Sequence, residues 1–225
     1  MRWSPDGSKI AYANSRFGIP NVFWLPADGS GAPERLLESP LLHHPMSFTR
    51  DGALVIAELV PGRGRGLAVM DLRPPRRTRP LLDNATNAEV SPDGRWMAYG
   101  STQSGQYEVY VTSYPDVRGR WQISTGGGRQ PAWSRDGREL FYRDFNGALV
   151  AVPVTLQPTF GAGPGRRLFQ DASYAGAGSS MSDRTFDVSP DGRRFLMIRT
   201  IAPPRRTLAV VQNWFDELRQ RVPAN

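Results

Sequence analysis

Five aspartates recur in one short context, and carboxylates at a fixed spacing could supply calcium ligands. The context is Ser or Thr, then Pro or Arg, then Asp and Gly, at 4–7, 49–52, 91–94, 134–137 and 189–192. The same residues are typical of a tight turn, because Pro presets φ, Asp bonds nearby backbone and Gly accepts the left-handed conformation. We therefore assign a structural role in turns, not metal binding, to Asp6, Gly7, Asp51, Gly52, Asp93, Gly94, Asp136, Gly137, Asp191 and Gly192.

Groups suited to catalysis are scarce. The chain has no cysteine, which excludes thiolate metal sites. Its only two histidines are His43 and His44. Neighbouring residues of a strand point to opposite faces, so only one of the two histidines can serve any one site. No Gly-x-Ser-x-Gly sequence is present to carry a nucleophile. The sequence predicts a non-enzymatic protein without a metal or cofactor.

The spacing of the turns predicts the fold class. The steps between successive turn aspartates are 45, 42, 43 and 55 residues, and β-rich repeats of about 40–50 residues are typical of propeller blades. An aromatic or branched residue precedes each turn, and an alternating apolar strand follows it. We expect an all-β propeller of four-stranded antiparallel blades over 1–213, with five repeats and a last strand at 208–212. A short amphipathic helix is predicted in the tail at 214–225.

The candidate binding residues come from the innermost strand of each repeat. In a propeller these strands line the central channel, so the positions four and five before each turn Ser or Thr should meet at one mouth. Guanidinium, imidazole and amide groups there suit a peptide or a small anionic ligand. Hydrogen bonding between blades is the alternative role. The residues are His44, Thr86, Asn87, Arg129, Gln130, Arg184 and Thr185.

The formal net charge of +7 makes nucleic acid a partner to consider. Lys9 is the only lysine, and the arginines are scattered through turns. The densest groups, at 73–79 and 205–206, lie beside proline pairs in loops that we expect to be solvated. The pattern therefore disfavours a nucleic-acid partner, and no apolar run is long enough to span a bilayer.

A family resemblance covers essentially the whole chain. The Ser-Pro-Asp-Gly turns followed by strands such as Lys9-Ile10-Ala11-Tyr12 resemble the repeats of TolB-like β-propellers. The later repeats resemble the propeller at the C-terminus of many bacterial serine/threonine protein kinases. The segments that carry this likeness are 136–142, 149–154, 167–169, 186–192 and Asn213-Trp214-Phe215.

The resemblance implies a sensor or protein-interaction domain outside the cytoplasm, in a protein whose kinase precedes a membrane span. None of the kinase signatures occurs in this sequence. The function expected is thus a non-catalytic binding or scaffold module. Two alternatives stay open: the accessory propeller of a hydrolase or peptidase, and a TolB-like periplasmic component that interacts with another protein.

The number of repeats departs from the family pattern, since such propellers usually have six blades. Here the first inner strand is nearly absent and the fifth repeat has no clear outer strand. The sequence therefore favours a fragment, or a reduced gene product, of a six-bladed ring over a self-sufficient five-bladed one. Open blade edges expose unpaired backbone groups, which predicts self-association.

Overall fold

The five turns share one hydrogen-bond pattern. In each, the Gly N–H donates to the Ser or Thr carbonyl at 2.8–3.1 Å, and the Ser or Thr hydroxyl donates to the Asp carboxylate. The glycines have φ between +70° and +86°, a region that favours glycine. The turn therefore fixes the first hairpin of every repeat.

The computed structural model describes residues 1–16, 18–171, 173 and 184–199. These residues form antiparallel sheets, one for each repeat, and we call the sheets blades one to five. Blade one contains β1 (Arg2–Trp3), β2 (Lys9–Asn14), β3 (Asn21–Pro26) and β4 (Glu34–Arg35). Blade two contains β5 (Leu42–Phe48), β6 (Leu54–Val60), β7 (Gly64–Met70) and β8 (Thr78–Asp83). Blade three contains β9 (Ala85–Val90), β10 (Trp96–Ser101), β11 (Glu108–Ser113) and β12 (Trp121–Gln122).

The last two blades depart from four strands. Blade four contains β13 (Arg129–Trp133), β14 (Glu139–Arg143), β15 (Ala148–Thr155), β16 (Gly161–Ala162) and β17 (Arg166–Gln170). β16 and β17 both pair with β15, so the segment between β15 and β17 contains a short additional strand. Blade five contains β18 (Phe186–Val188) and β19 (Phe195–Met197). The predicted strand at 208–212 and helix at 214–225 lie outside the described residues.

The hydrophobic core is divided among the contacts between successive blades. On β6, Leu54 and Ile56 pack toward blade one, whereas Val55 and Ala57 pack toward blade three. This alternation follows from the two-residue period of a strand. Two further clusters join blades three and four and blades four and five. The all-β propeller that the sequence predicts is confirmed, and blades one to three have the predicted four antiparallel strands. In the described part of the chain, no helix is long and apolar enough to cross a membrane.

The turn hydrogen bonds predict an acid-sensitive fold. Hydrogen bonds from Ser4 and Ser8 lower the pKa of Asp6 to about 2 from 3.8, and those from Ser134 and the Arg138 N–H lower the pKa of Asp136. A carboxylate whose pKa is lower in the folded state contributes stability above its unfolded pKa, and this stability is lost as pH falls through the folded pKa. Between about pH 4 and pH 2 we thus expect urea midpoints to fall.

Asp136→Asn provides the comparison for this loss of stability at acidic pH. The amide still accepts both hydrogen bonds but does not titrate, so the variant should start less stable above pH 4 and lose less on acidification. Circular dichroism in urea at a series of pH values measures both curves. Equal losses in the two proteins would show that Asp136 contributes nothing to the acid sensitivity.

Candidate functional site

A cavity of about 820 Å³ lies at the turn ends of the inner strands. It is lined by residues of blades one, two, three and five. The apolar part of its lining includes Met1, Trp3, Phe48, Phe186, Leu196 and Ile198. The charged part is Arg2, Arg50, Glu89, Arg184 and Asp187. The volume lies in the range of small-molecule and cofactor sites, and the mixed lining suits a ligand with acidic and apolar groups. We call this space the central cavity.

Arg184 organises the polar side of the central cavity. Its Nη1 donates to Glu89 Oε2 at 2.7 Å, and its Nη2 donates to Asp187 Oδ1 at 2.7 Å. Glu89 belongs to blade three and Arg184 immediately precedes β18 of blade five, so this ion pair joins two blades that are not neighbours in sequence. The Arg184 and Glu89 side chains are 13% and 22% exposed, whereas that of Asp187 is 64% exposed.

The charge of Arg184 is held in place by its two carboxylates. Burial by itself would lower the pKa of Arg184, but the negative charges of Glu89 and Asp187 outweigh burial, and the pKa is raised from its ordinary value. The guanidinium therefore stays charged, and a second crevice of about 300 Å³ shares Arg184, Glu89 and Asp187 with the central cavity. In both spaces the cation lies beside the two carboxylates that pair with it.

The position two residues before the turn Ser or Thr connects neighbouring blades. In blade two this residue is Ser47, whose hydroxyl accepts the Val90 N–H of blade three at 3.1 Å. In blade three it is Glu89, whose Oε2 accepts the Trp133 N–H of blade four at 3.2 Å. In blades one and five it is Arg2 and Asp187. This one strand position supplies both the bonds between blades and three of the cavity's charges.

Of the predicted channel-mouth residues, Arg184 and Thr185 line the central cavity. Thr185 also donates its hydroxyl to Gln130 Oε1 at 2.9 Å, which ties blade five to blade four. Thr86, Asn87 and Gln130 are buried. These three residues lie farther from the turns, at the start of the inner strands.

The inner strands are irregular at the predicted positions. Asn87 and Gln130 have φ of +50° and +57°, which is uncommon for residues other than glycine. The pairing register of β9 with β10, and of β13 with β14, shifts at the same places. A β-bulge changes the direction of a side chain. In blade four the bulged residue is Gln130, whose side chain accepts the hydrogen bond from Thr185 of blade five.

Arg129 and His44 lie outside the lining of the central cavity. The Arg129 guanidinium stands 5.4 Å from the centre of the Phe145 ring, and desolvation lowers the pKa of Arg129. His44 is half-buried, while its neighbour His43 is buried, with Nε2 3.8 Å from Glu58 Oε2. Within the described ranges, no three His, Cys, Asp or Glu groups are close enough to hold a metal ion. Ligand binding at the predicted positions stays a prediction.

The sequence reasoning missed Arg2, Glu89 and Asp187. All three occupy the same position of the repeat, two residues before the turn Ser or Thr, and all three line the central cavity. A charged residue this close to the end of an inner strand was the signal available, because neighbouring positions there are mostly apolar. The cavity lies at the turn end of the inner strands and extends to Arg184 and Thr185, two of the residues that the sequence placed at the mouth.

The antiparallel blades and the central cavity define the chain as a β-propeller, and comparison with solved structures agrees. A putative TolB from Agrobacterium tumefaciens superposes with a TM-score of 0.69 and 19% identity, over 89% of this chain and 73% of that one. TolB from Acinetobacter baumannii gives a TM-score of 0.61 and 19% identity, over 75% of this chain and 42% of that one. A puromycin-hydrolyzing peptidase from Mycobacterium tuberculosis gives 0.56 and 18%, over 84% of this chain and 35% of that one.

At sequence identities of 18–19%, these structural similarities establish the fold alone. The chain spans less than half the length of the second and third of these proteins. No protein-family model and no curated protein matches the sequence. The chain therefore has a β-propeller fold, similar to the propellers of two TolB proteins and of a peptidase.

Proposed function

We propose that this propeller is a non-catalytic binding module whose central cavity holds a peptide segment or a small anionic ligand. The observation that carries the proposal is one cavity of about 820 Å³ in which Arg50, which has no carboxylate partner among the described residues, lies beside an apolar wall. Arginine binds carboxylates through two parallel hydrogen bonds, and apolar side chains of a peptide fit the Phe48 and Phe186 side of the cavity. Binding and scaffolding require no nucleophile, which agrees with the residues available.

Within this proposal the chain is the sensor or interaction part of a bacterial protein linked to a serine/threonine kinase. The support is the sequence of the later repeats, especially Asn213-Trp214-Phe215 and the motif at 186–192. Reading the DNA frame upstream of Met1 to the previous stop codon tests the link. A kinase domain followed by a membrane span in that frame would support it. A stop codon directly upstream, with no frameshifted remnant, would contradict it.

An accessory propeller of a hydrolase is the second candidate. The structural likeness to a puromycin-hydrolyzing peptidase, of which this chain covers 35%, favours it. The likeness to two TolB proteins equally supports a periplasmic interaction component. A Gly-x-Ser-x-Gly domain encoded downstream in the same frame would select the hydrolase. An encoded signal peptide upstream would select the TolB-like component.

Self-association is the last part of the proposal. Trp3, Leu196 and Ile198 are 59%, 75% and 57% exposed, and they line the same cavity from blades one and five. Phe195 and Met197 lie on either side of Leu196 in β19, and their side chains pack against blade four. Among the described residues, blade five thus has one apolar face packed on blade four and one exposed face, and a second copy of the chain could cover the exposed one.

Binding can be tested with a short fluorescein-labelled peptide that alternates glutamate and leucine. Arg50 lines the central cavity and makes no side-chain hydrogen bond or ion pair with the described residues. We expect Arg50→Glu to weaken binding about tenfold, which is about 1.4 kcal/mol. Fluorescence anisotropy at low ionic strength measures the effect, because screening would hide it in high salt.

Arg138→Glu is the matched control, since Arg138 is 86% exposed at its side chain and lines none of the cavities described. It carries the same change of charge, so the variant should bind within about twofold of wild type. Peptides with glutamine for glutamate, or serine for leucine, should bind more weakly than the parent. Absence of binding to wild type, or equal losses in the two variants, would overturn the proposal.

A further inference from the structure

A second cleft lies at the periphery, between blades two and three. It encloses about 620 Å³, within the size range of small-molecule sites. Ala53, Val69 and Leu72 form its apolar part. Its polar groups come from the turn of blade two, the segment 71–79 and Tyr114, which follows β11 of blade three. We call this space the peripheral cleft, and it shares no lining residue with the central cavity.

The arginines of this segment divide into two kinds. Arg73 donates from N and Nε to Asp71 Oδ1, at 2.9 and 3.5 Å. Arg76 donates to Glu34 of blade one. Arg77 and Arg79 also line the cleft or its rim, but they make no side-chain hydrogen bond or ion pair with any part of the chain that the structure describes. Two carboxylate partners are therefore already used, and two guanidinium groups remain for a ligand.

Strand geometry brings these two arginines to one side. Residues i and i+2 of a strand point the same way, about 6.5–7 Å apart. Thr78 begins β8 and Arg79 pairs with Val69, so Arg79 stands beside the apolar part of the cleft. The Arg77 carbonyl accepts the Asp71 N–H at 2.9 Å, which holds Arg77 in the same extended direction. The guanidinium groups of Arg77 and Arg79 can therefore reach one tetrahedral anion from neighbouring positions.

Tyr114 adds a neutral donor on the opposite wall. Desolvation raises the pKa of the Tyr114 phenol, and the charge of Asp51 raises it further. The hydroxyl therefore stays protonated at neutral pH and can donate a hydrogen bond. Asp51 itself accepts the hydroxyl of Thr49 within its turn. The lining of the cleft thus includes two arginines without a carboxylate partner in the described part of the chain, one hydroxyl donor and an apolar surface, besides Asp51 and Asp71, which accept hydrogen bonds within their own loops.

We propose that the peripheral cleft binds a small molecule that carries a phosphate monoester on an apolar group. Arg77 and Arg79 hold the phosphate, the Tyr114 hydroxyl donates to one of its oxygens, and Ala53, Val69 and Leu72 contact the apolar group. Arginine is the side chain best matched to phosphate, because its planar fork donates two parallel hydrogen bonds. The proposal does not depend on the function proposed for the central cavity.

Phenyl phosphate is the probe for this site, with titration calorimetry and ³¹P line broadening as readouts on the full chain. We expect Arg77→Gln/Arg79→Gln to weaken its binding at least about tenfold. Tyr114→Phe should weaken it about threefold, because one hydrogen bond is lost while the ring stays in place. Circular dichroism shows whether the variants keep the wild-type fold.

Arg63→Gln/Arg65→Gln is the matched control. This pair has the same spacing and removes the same charge, and it lies at the hairpin between β6 and β7, at the other end of blade two. It should bind phenyl phosphate within about twofold of wild type, which separates a site from general attraction by a basic chain. Inorganic phosphate should bind more weakly than phenyl phosphate, since it lacks the apolar group.

Three results would overturn the proposal. They are no phenyl phosphate binding by wild type, equal losses in the two double variants, and equal binding of inorganic and phenyl phosphate. A failure here leaves the peptide experiment on Arg50 untouched, because the peptide probe and the Arg50 variant report on the other cavity. The two proposals can therefore fail separately.

Discussion

Trp133→Ala is expected to lower the free energy of unfolding by about 3–5 kcal/mol, the usual cost of removing a large buried aromatic side chain. Trp133 is 7% exposed and packs with residues of blades three and four. Its ring meets Phe160 edge-on at 6.4 Å, and its Nε1–H donates to the Glu89 carbonyl at 2.9 Å. The substitution thus opens a cavity between two blades and leaves the Glu89 carbonyl without this donor. Urea unfolding followed by tryptophan fluorescence and circular dichroism measures the loss.

Trp3→Ala is the matched control for this prediction. Trp3 occupies the same position of its repeat, directly before the turn serine, but it is 59% exposed. We expect a loss below about 1 kcal/mol, as for most surface substitutions. A loss equal to that of Trp133→Ala would mean that Trp3 is packed as Trp133 is. Light scattering on both proteins then separates packing within one chain from association of two copies through this edge.

The turns explain why the fold could be predicted from the sequence. Each turn is specified by four adjacent residues whose conformations are set locally, by Pro or Arg, Asp and a left-handed Gly such as Gly94. The strands after the turns carry continuous or alternating apolar residues, as in β6. Local signals repeated at one period therefore fix the blades without knowledge of long-range contacts.

The candidate site could be predicted only in part, because it depends on contacts between distant strands. Arg184 and Glu89 are 95 residues apart in sequence, and their pairing follows from how the blades are arranged around the cavity. The bulge at Gln130 turns an amide toward Thr185, and no local residue pattern announces a left-handed Gln. Sequence spacing predicted that the inner strands meet, but not that charged residues two positions before the turns line a cavity there.

The peripheral cleft shows the same limit. The arginines at 73–79 were expected to be solvated, since a run of arginines beside prolines is typical of a loop. Which of them have carboxylate partners depends on Asp71 nearby and on Glu34 of another blade. Sequence alone could not separate Arg76 from Arg77, although they are adjacent.

Glu89→Gln is expected to cost about 2 kcal/mol of unfolding free energy, less than the 3–5 kcal/mol for breaking a fully buried ion pair. The glutamine can still accept the Trp133 N–H, so the change removes mainly the negative charge beside Arg184. Arg184 is 13% exposed at its side chain, and it would keep only the more exposed Asp187 as a partner. Denaturant unfolding at neutral pH, in low and in high salt, measures the loss.

Asp187→Asn tests whether burial, rather than contact distance, sets the size of that effect. Both carboxylates stand 2.7 Å from the same guanidinium, but the Asp187 side chain is 64% exposed and that of Glu89 is 22% exposed. Exposed pairs are worth about 0.2–1 kcal/mol and are screened by salt. We therefore expect Asp187→Asn to cost about 0.5 kcal/mol at low salt and less at high salt, while the Glu89→Gln loss persists. If the two variants lose equal stability and respond equally to salt, then Glu89 is not the anchor that ties blade five to blade three. In that case the hydrogen bond from Thr185 to Gln130 and the apolar packing of Phe186 on blade four have to hold the inner strand of blade five.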